Sequence, residues 1–400
     1  MTFHLSSCWA GKYAEYASSC LARHVENGGR KCPPSRAEII AIVLRDPYEY
    51  LQPLSAPVHL ATGSEFLVGF DSSTTFQEFA LDVSLSLGLR PPKESGFAVF
   101  SNVHGSDQLI ISEKPGRKVC DALFEWERKA KLASVGLLES SLVPRFQFAR
   151  RLYFASHEDA ASKGTEDILV VFQTFAQIMA RRFDVSLDDA ITLGTIVAQL
   201  EGGNLDAQDD AKAEVDGWVQ RCVPAPLRNP SLSAEVDEDA PPRLSAKEIR
   251  DRFEQRWRRS ADESSADLAC SFLQIARKWW LYGATLVKAE IVASKRVIWC
   301  GINEAGIDLL DESNFALLES ILYPNIRTFG GPGGHFRLQY RKGDLGRQEF
   351  VLRFLEPVTH REVTHRMASY INMIVRSEGM TCTAAGIHQD MEDHESSLMA

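Results

Sequence analysis

No run of apolar residues in this chain of 400 reaches the ~20 that a membrane-spanning helix requires. Met1 to Ala10 has neither a basic start nor a long apolar stretch, so a cytoplasmic location is expected. Basic charge is also short. The 44 Lys and Arg against 54 Asp and Glu leave a net charge of −10, which argues against a nucleic-acid partner, because phosphate contacts need clustered cations on an exposed face. The eight cysteines show no CxxC pair and no regular spacing. Free, mostly buried thiols are therefore expected, with neither disulfides nor a zinc site.

Catalytic signatures are equally thin. Gly330-Gly331-Pro332-Gly333-Gly334 is not followed by Gly-Lys-Ser/Thr and lies between strands, which makes it a loop and not a phosphate cradle. His360 and His365 fall five residues apart, about 140° around a helix, so one metal could not readily take both. Cys222 and Arg228 have the Cys-x5-Arg spacing of a phosphatase loop, but the segment between them lacks glycine, and its two prolines remove amides that a phosphate would need. No Ser-His-Asp arrangement or carboxylate pair stands out. The expectation is a protein that is not an enzyme and carries no cofactor and no metal.

What the chain does have is length for two to four domains and 44% hydrophobic residues to fill their cores. A helix through Tyr13, Tyr16, Ala17 and Leu21 should end before Asn27-Gly28-Gly29, and Ser35 with Glu38 should box the start of a second. From Pro57 to Lys131 the pattern becomes two strands about a Thr62-Gly63-Ser64 turn, then a helix capped by Thr74 with Gln77 or Thr75 with Glu78. That helix has a Phe76, Phe79, Ala80, Val83, Leu87 stripe, and further strands follow at Gly96–Phe100 and Leu109–Ile111. Such an order describes a β-grasp. Phe146 to Tyr282 reads as helical throughout, interrupted by an acidic surface insertion from Asp206 to Pro242. Alternating strands from Ala284 to Leu355 surround a hairpin at Gly301–Ile307 and run into an amphipathic helix over Pro357–Val375. One helix face is thus made to plug a barrel. The last twenty residues read as a disordered tail.

A ubiquitin-like lobe, a helical lobe and a pleckstrin-homology-like lobe in this order resemble the FERM domain. Phe146-Gln147-Phe148-Ala149-Arg150-Arg151-Leu152-Tyr153-Phe154 is similar to the family's entry into the helical lobe, and Trp279-Trp280-Leu281-Tyr282-Gly283-Ala284 to its exit. Gly301-Ile302-Asn303 with Gly306-Ile307 resembles the early hairpin of the third lobe. Asn27-Gly28-Gly29-Arg30, then Pro33-Pro34-Ser35 and Glu38-Ile39-Ile40, resembles the end of a myosin tail homology 4 domain, which precedes FERM in unconventional myosins and some kinesins. The fold class so implied is α+β and multidomain. Residues 1–52 form the end of the tail homology domain and 56–135 the ubiquitin-like lobe. Residues 140–283 form the acyl-CoA-binding-protein-like helical lobe with its insertion at about 206–242. Residues 284–378 form the barrel with its C-terminal helix, and 379–400 the tail.

The resemblance implies a non-enzymatic cytoskeletal adaptor or motor-tail module that binds cytoplasmic peptide tails of membrane or cargo proteins. Such a peptide would add as a strand to the third lobe. The receiving edge would be Ile326, Arg327, Thr328 and Phe329, faced by Val363, Met367 and Tyr370 from the helix. The alternative is a scaffold at the inner membrane face that binds acidic phosphoinositides, through Lys295, Arg296, Arg341 and Lys342 with Arg256, Arg258 and Arg259 of a basic amphipathic helix. That helix has a plainer reading, in which Ile249, Phe253 and Trp257 are buried and the arginines solvated. Actin or microtubules enter as partners from the family setting alone, and no residue identifies the filament.

Overall fold

A computed structural model describes residues 14–44, 54–101, 111–134, 146–154, 164–183, 185–207, 211–228, 244–331, 334–355 and 359–377. Tyr13, Leu109 and Ile110, Pro357, residues 229–243 of the acidic stretch and the tail fall outside these. The chain divides into two compact units, Met1–Tyr282 and Gly283–Ala400.

The first unit opens with helices α1 (Ala14–Glu26) and α2 (Arg36–Leu44). Ser35 Oγ accepts from the Glu38 amide at 3.1 Å, but the Glu38 carboxylate is spent on Arg30 at 2.6 Å. Strands β1 (Leu54–Leu60) and β2 (Glu65–Phe70) pair as a hairpin, followed by α3 (Phe76–Ser86), α4 (Pro92–Ser95), β3 (Phe97–Ser101), β4 (Ile111–Ser112) and α5 (Val119–Ser134). The Thr75–Glu78 capping box is formed in full, and it fixes where α3 starts.

Phe146–Arg150, expected to enter the helical lobe, is instead β5, the central strand of a sheet ordered β2-β1-β5-β3-β4. It runs parallel to β1 and antiparallel to β3. The β-grasp sheet therefore extends to Arg150, past the boundary expected near residue 135. The reason is packing. Phe146 and Phe148 alternate into the core, where Phe146 meets Phe76 and Phe79 of α3 at 5.7 and 5.6 Å, and Phe148 stacks on Phe97 at 5.2 Å.

The helical part comprises α6 (Thr165–Met179), α7 (Leu187–Gly202), α8 (Ala211–Cys222), α9 (Ala225–Arg228), α10 (Ala246–Arg259) and α11 (Ser265–Ala276). Much of the stretch expected to be a surface insertion is thus α8 and α9. Val215, Trp218 and Cys222 recur at helical spacing and are buried. Gly202 lets α7 approach them, since a Cβ there would stand 2.8 Å from Trp218 Cζ2. A partly buried ion pair links the helices to the sheet, with Arg90 of the loop before α4 on Glu166 of α6 at 2.7 Å.

The second unit is one antiparallel sheet of seven strands: β6 (Thr285–Ile291), β7 (Arg296–Ile302), β8 (Gly306–Asp311), β9 (Leu317–Leu322), β10 (Ile326–Gly330), β11 (His335–Arg341) and β12 (Arg347–Phe354), with helix α12 (Thr359–Ser377). Its order is β10-β11-β12-β6-β7-β8-β9, so chain neighbours β9 and β10 form the two edges of the sheet. The start of β8 needs Gly306, because a Cβ there would meet the Ile321 carbonyl oxygen of β9 at 2.1 Å. Among the described residues no helix is long and apolar enough to cross a membrane.

His360, at the start of α12, gives this unit a pH response. Its ring packs on Phe336 and Phe354 at 5.7 and 6.4 Å, and Nε2 is buried with no hydrogen-bond partner. Burial holds the imidazole below its ordinary 6.5. The unfolded chain then binds the proton more readily, so stability is full above about pH 6.5 and falls as pH drops through the lowered folded value. Melting temperature measured against pH should fall on this acid side, and His360→Leu should flatten that limb; an unchanged limb would assign the loss to other groups.

Candidate functional site

Backbone groups with no partner strand are the chemistry that a peptide strand could use, and the second unit has them on β9 and β10. On the β9 side, side chains from β11 and the residue after it bridge to Glu319, with the Tyr340 hydroxyl donating at 2.7 Å and Lys342 pairing at 2.8 Å. On the β10 side no such bridge forms among the described residues. There α12 runs beside the strand, since a Cβ on Gly330 would lie 4.0 Å from Thr364 Cγ2. The β10–β11 register breaks at a bulge between Ile326 and Thr328, which leaves Arg327 without a cross-strand partner.

Ile326, Arg327, Thr328 and Phe329 all lie on β10; Arg327 and Thr328 are exposed and the other two half-buried. Val363, Met367 and Tyr370 are 1%, 0% and 0% exposed, and Tyr370 stacks on Tyr323 at 6.3 Å inside the barrel. These three fill the core, and in this conformation a peptide could not touch them. The helix surface toward β10 is one residue further round. Thr364 marks it, and Ala368 and Ile371 share its face at i+4 and i+7, all three half-buried. Periodicity in the sequence identified the apolar stripe, which is the plug; the neighbouring, less apolar stripe carries no comparable signal.

The residues expected to meet lipid are dispersed. On α10, Arg256 reaches Asp188 at 2.6 Å, and Arg258 bonds Glu254 at 3.0 Å and pairs with Asp206, so that little cationic surface is left beside the exposed Arg259. Ile249, Phe253 and Trp257 are buried as the plainer reading required. In the second unit, Lys295 pairs with Glu290 at 3.4 Å, Arg296 with Asp311 at 2.6 Å and Lys342 with Glu319. Among the side chains described, Arg341 is the one member of this set in that unit with no carboxylate partner. Cys222 has no thiolate chemistry, because burial pushes its thiol up to about 12, and Arg228 donates to the Val223 carbonyl at 2.7 Å.

The two N-terminal helices are fastened to the β-grasp part by charge. Arg23 of α1 binds Asp71 at 2.9 Å and Glu78 at 3.0 Å. Burial alone would raise the Asp71 carboxyl, but hydrogen bonds from Ser73 and the Arg23 charge hold it below its ordinary value. Arg30 binds Glu38 and, at 2.8 Å, Asp121 of α5. Glu127 of α5 accepts the Arg36 and Ala37 amides at 2.7 and 2.8 Å, so it caps the N-terminus of α2. The opposite surfaces of these helices leave Leu21, Val25, Ile39, Ile40, Val43 and Leu44 exposed.

Comparison with known proteins fits this architecture. The model of the FERM central domain matches residues 169–287. An uncharacterized Drosophila melanogaster protein, CG43867, is 29% identical over 376 residues, 91% of this chain and 20% of its own length. The chain thus spans about a fifth of that curated relative. Among solved structures, the human myosin 7b C-terminal MyTH4-FERM domain, in complex with the harmonin-a PDZ3 domain, superposes with a TM-score of 0.66 at 17% identity, covering 91% of this chain and 68% of that one. The Dictyostelium discoideum myosin VII MyTH4-FERM MF1 domain gives 0.63 at 19%, over 88% and 65% of the two chains. The FERM and C-terminal domain complex of Drosophila Merlin gives 0.61 at 14%, over 82% and 98%. At these identities the structures speak for fold alone: the chain has the three-lobed FERM fold, and residues 169–287 carry its central domain.

Proposed function

We propose that this chain is a non-enzymatic binding module of the cytoskeleton, an adaptor or the cargo-binding part of a motor tail, and that it takes cytoplasmic tail peptides of membrane or cargo proteins as a strand added to β10. The observation that carries this is the unbridged β10 edge lying beside α12. Backbone hydrogen bonds to Ile326–Gly330 would supply affinity, and side chains set between β10 and Thr364, Ala368 and Ile371 would supply selectivity. We take the lobes as residues 54–150, 164–282 and 283–377, and α1 and α2 as the end of a myosin tail homology 4 domain. Matches to MyTH4-FERM structures over about nine-tenths of the chain support that assignment. So does the apolar surface on α1 and α2, which suits further helices. A cytoplasmic site at the cytoskeleton or the inner membrane face follows from this reading.

The test is a fluorescence-anisotropy titration of cytoplasmic tail peptides, followed by hydrogen exchange on the complex. Exchange at the β10 amides should slow on binding, and Ile371→Ala should weaken binding by roughly tenfold, with its melting temperature measured alongside to separate lost binding from lost folding. Binding that leaves β10 exchange unchanged would place the site elsewhere.

A further inference from the structure

At one end of the second unit's sheet, Arg327 of β10, Arg341 at the end of β11 and Arg347 at the start of β12 line a cavity of about 380 Å³, with Gly346 and Tyr340 completing its wall. Arg341 and Arg347 stand directly opposite each other in the antiparallel register. Like charges in that position repel and destabilise a sheet. Arg327 adds a third cation from the bulge. Among the side chains described, no carboxylate pairs with any of the three. Glu319 is occupied by Lys342 and Tyr340, and Glu349 by Arg337 at 3.1 Å and Gln339 at 2.7 Å, while Arg347 donates only to Gln339. Residues 283–377 hold twelve Lys and Arg against ten Asp and Glu, in a chain whose net charge is −10. Three cations thus converge on one pocket of a chain whose overall charge is acidic.

We infer that this pocket receives a phosphomonoester on a side chain of a bound protein segment. Guanidinium groups match phosphate oxygens in planar, paired hydrogen bonds, and three of them suit a dianion better than a carboxylate. The cavity is large enough for an aryl phosphate. Its place beside β10 favours a phosphate carried by a peptide over one in a lipid headgroup. Glu319 and Glu349 interrupt the surrounding face, whereas a membrane surface rewards a broad unpaired basic one. The inference deepens the reading of β10 as the receiving edge.

The test titrates the full chain with O-phospho-L-tyrosine and with tyrosine, following the arginine Nε–H resonances by NMR. Phosphotyrosine should shift three Arg signals with saturation, tyrosine should not, and R341Q/R347Q should weaken the response by about tenfold or more. That variant relieves repulsion, so its melting temperature should stay level or rise, which separates lost binding from lost folding. No saturable shift, or an undiminished one in the variant, overturns the inference. So does a wild type that ignores phosphotyrosine yet sediments with phosphatidylcholine vesicles carrying phosphatidylinositol bisphosphate, which would make this a membrane surface. The free amino acid reads only the pocket, and peptide-dependent exchange at β10 reads only the edge, so the two claims fail separately.

Discussion

Replacing Arg30 by alanine is expected to release α1 and α2 from the β-grasp lobe, at a cost of about 3 kcal/mol. Its guanidinium sits between Glu38 and Asp121, whose side chains are 2% and 6% exposed while its own is 14% exposed. Removing it leaves two nearly buried carboxylates with no cation between them, and that desolvation exceeds anything a surface pair would show. Asp121 also accepts the Lys31 and Cys32 amides at 3.2 Å, so a carboxylate that turns outward after the substitution lets go of the backbone as well. Hydrogen exchange at Ile39, whose amide bonds the Ser35 carbonyl at 3.0 Å, should accelerate sharply. A lysine at this position supplies one point charge in place of a fork and should restore only part of the loss. In a double-mutant cycle, Asp121→Ala should cost much less on the alanine background than alone. Additive costs, or an exchange pattern in α2 that does not move, would mean that the helices are held by something other than this triad.

The sequence made some of this arrangement plain and hid the rest for physical reasons. The capping box at Thr75, one of the two the sequence offers, and alternation in β11 and β12 are local signals that need no knowledge of distant residues, and each appears where it was expected. Strand β5 is different, because its partners β1 and β3 lie far off in sequence and only their pairing marks Phe146–Arg150 as the middle of a sheet. In α8, acidic neighbours mask the Val215, Trp218, Cys222 stripe when composition is averaged over the whole stretch, although helical spacing could have found it. Apolar periodicity points to Val363, Met367 and Tyr370 because it reports burial, and the most buried face of a plugging helix is the one no ligand reaches. The arginine cavity was invisible for a related reason. Arg341 adjoins Lys342 in the sequence, but Lys342 turns to Glu319, while Arg347 comes opposite Arg341 only through the β11–β12 register.

The helical lobe should depend most on Trp257, and Trp257→Ala is expected to cost about 3–5 kcal/mol. The indole is fully buried, meeting the Trp218 ring edge-on at 5.8 Å and Phe253 at 6.1 Å. Its N–H donates to Gln199 Oε1 at 2.9 Å and to the Gly203 carbonyl at 3.0 Å, which ties α10 to the end of α7. Alanine would open a cavity where three helices meet, and it would strand the Gln199 and Gly203 oxygens together. Phenylalanine keeps most of the volume but loses the donor, so Trp257→Phe should cost about 1–2 kcal/mol and apportion packing against hydrogen bonding. Because domains are stable by only about 5–15 kcal/mol, the alanine variant should move the urea midpoint of this lobe by a large fraction of its whole range. The arginines along the same helix supply the contrast. Arg256 and Arg258 sit in exposed pairs, and their single replacement should cost under about 1 kcal/mol. If Trp257→Ala proved as mild as those, α10 would be held by its charged face and the apolar stripe would be incidental; a loss of several kcal/mol assigns the helix to the lobe's core.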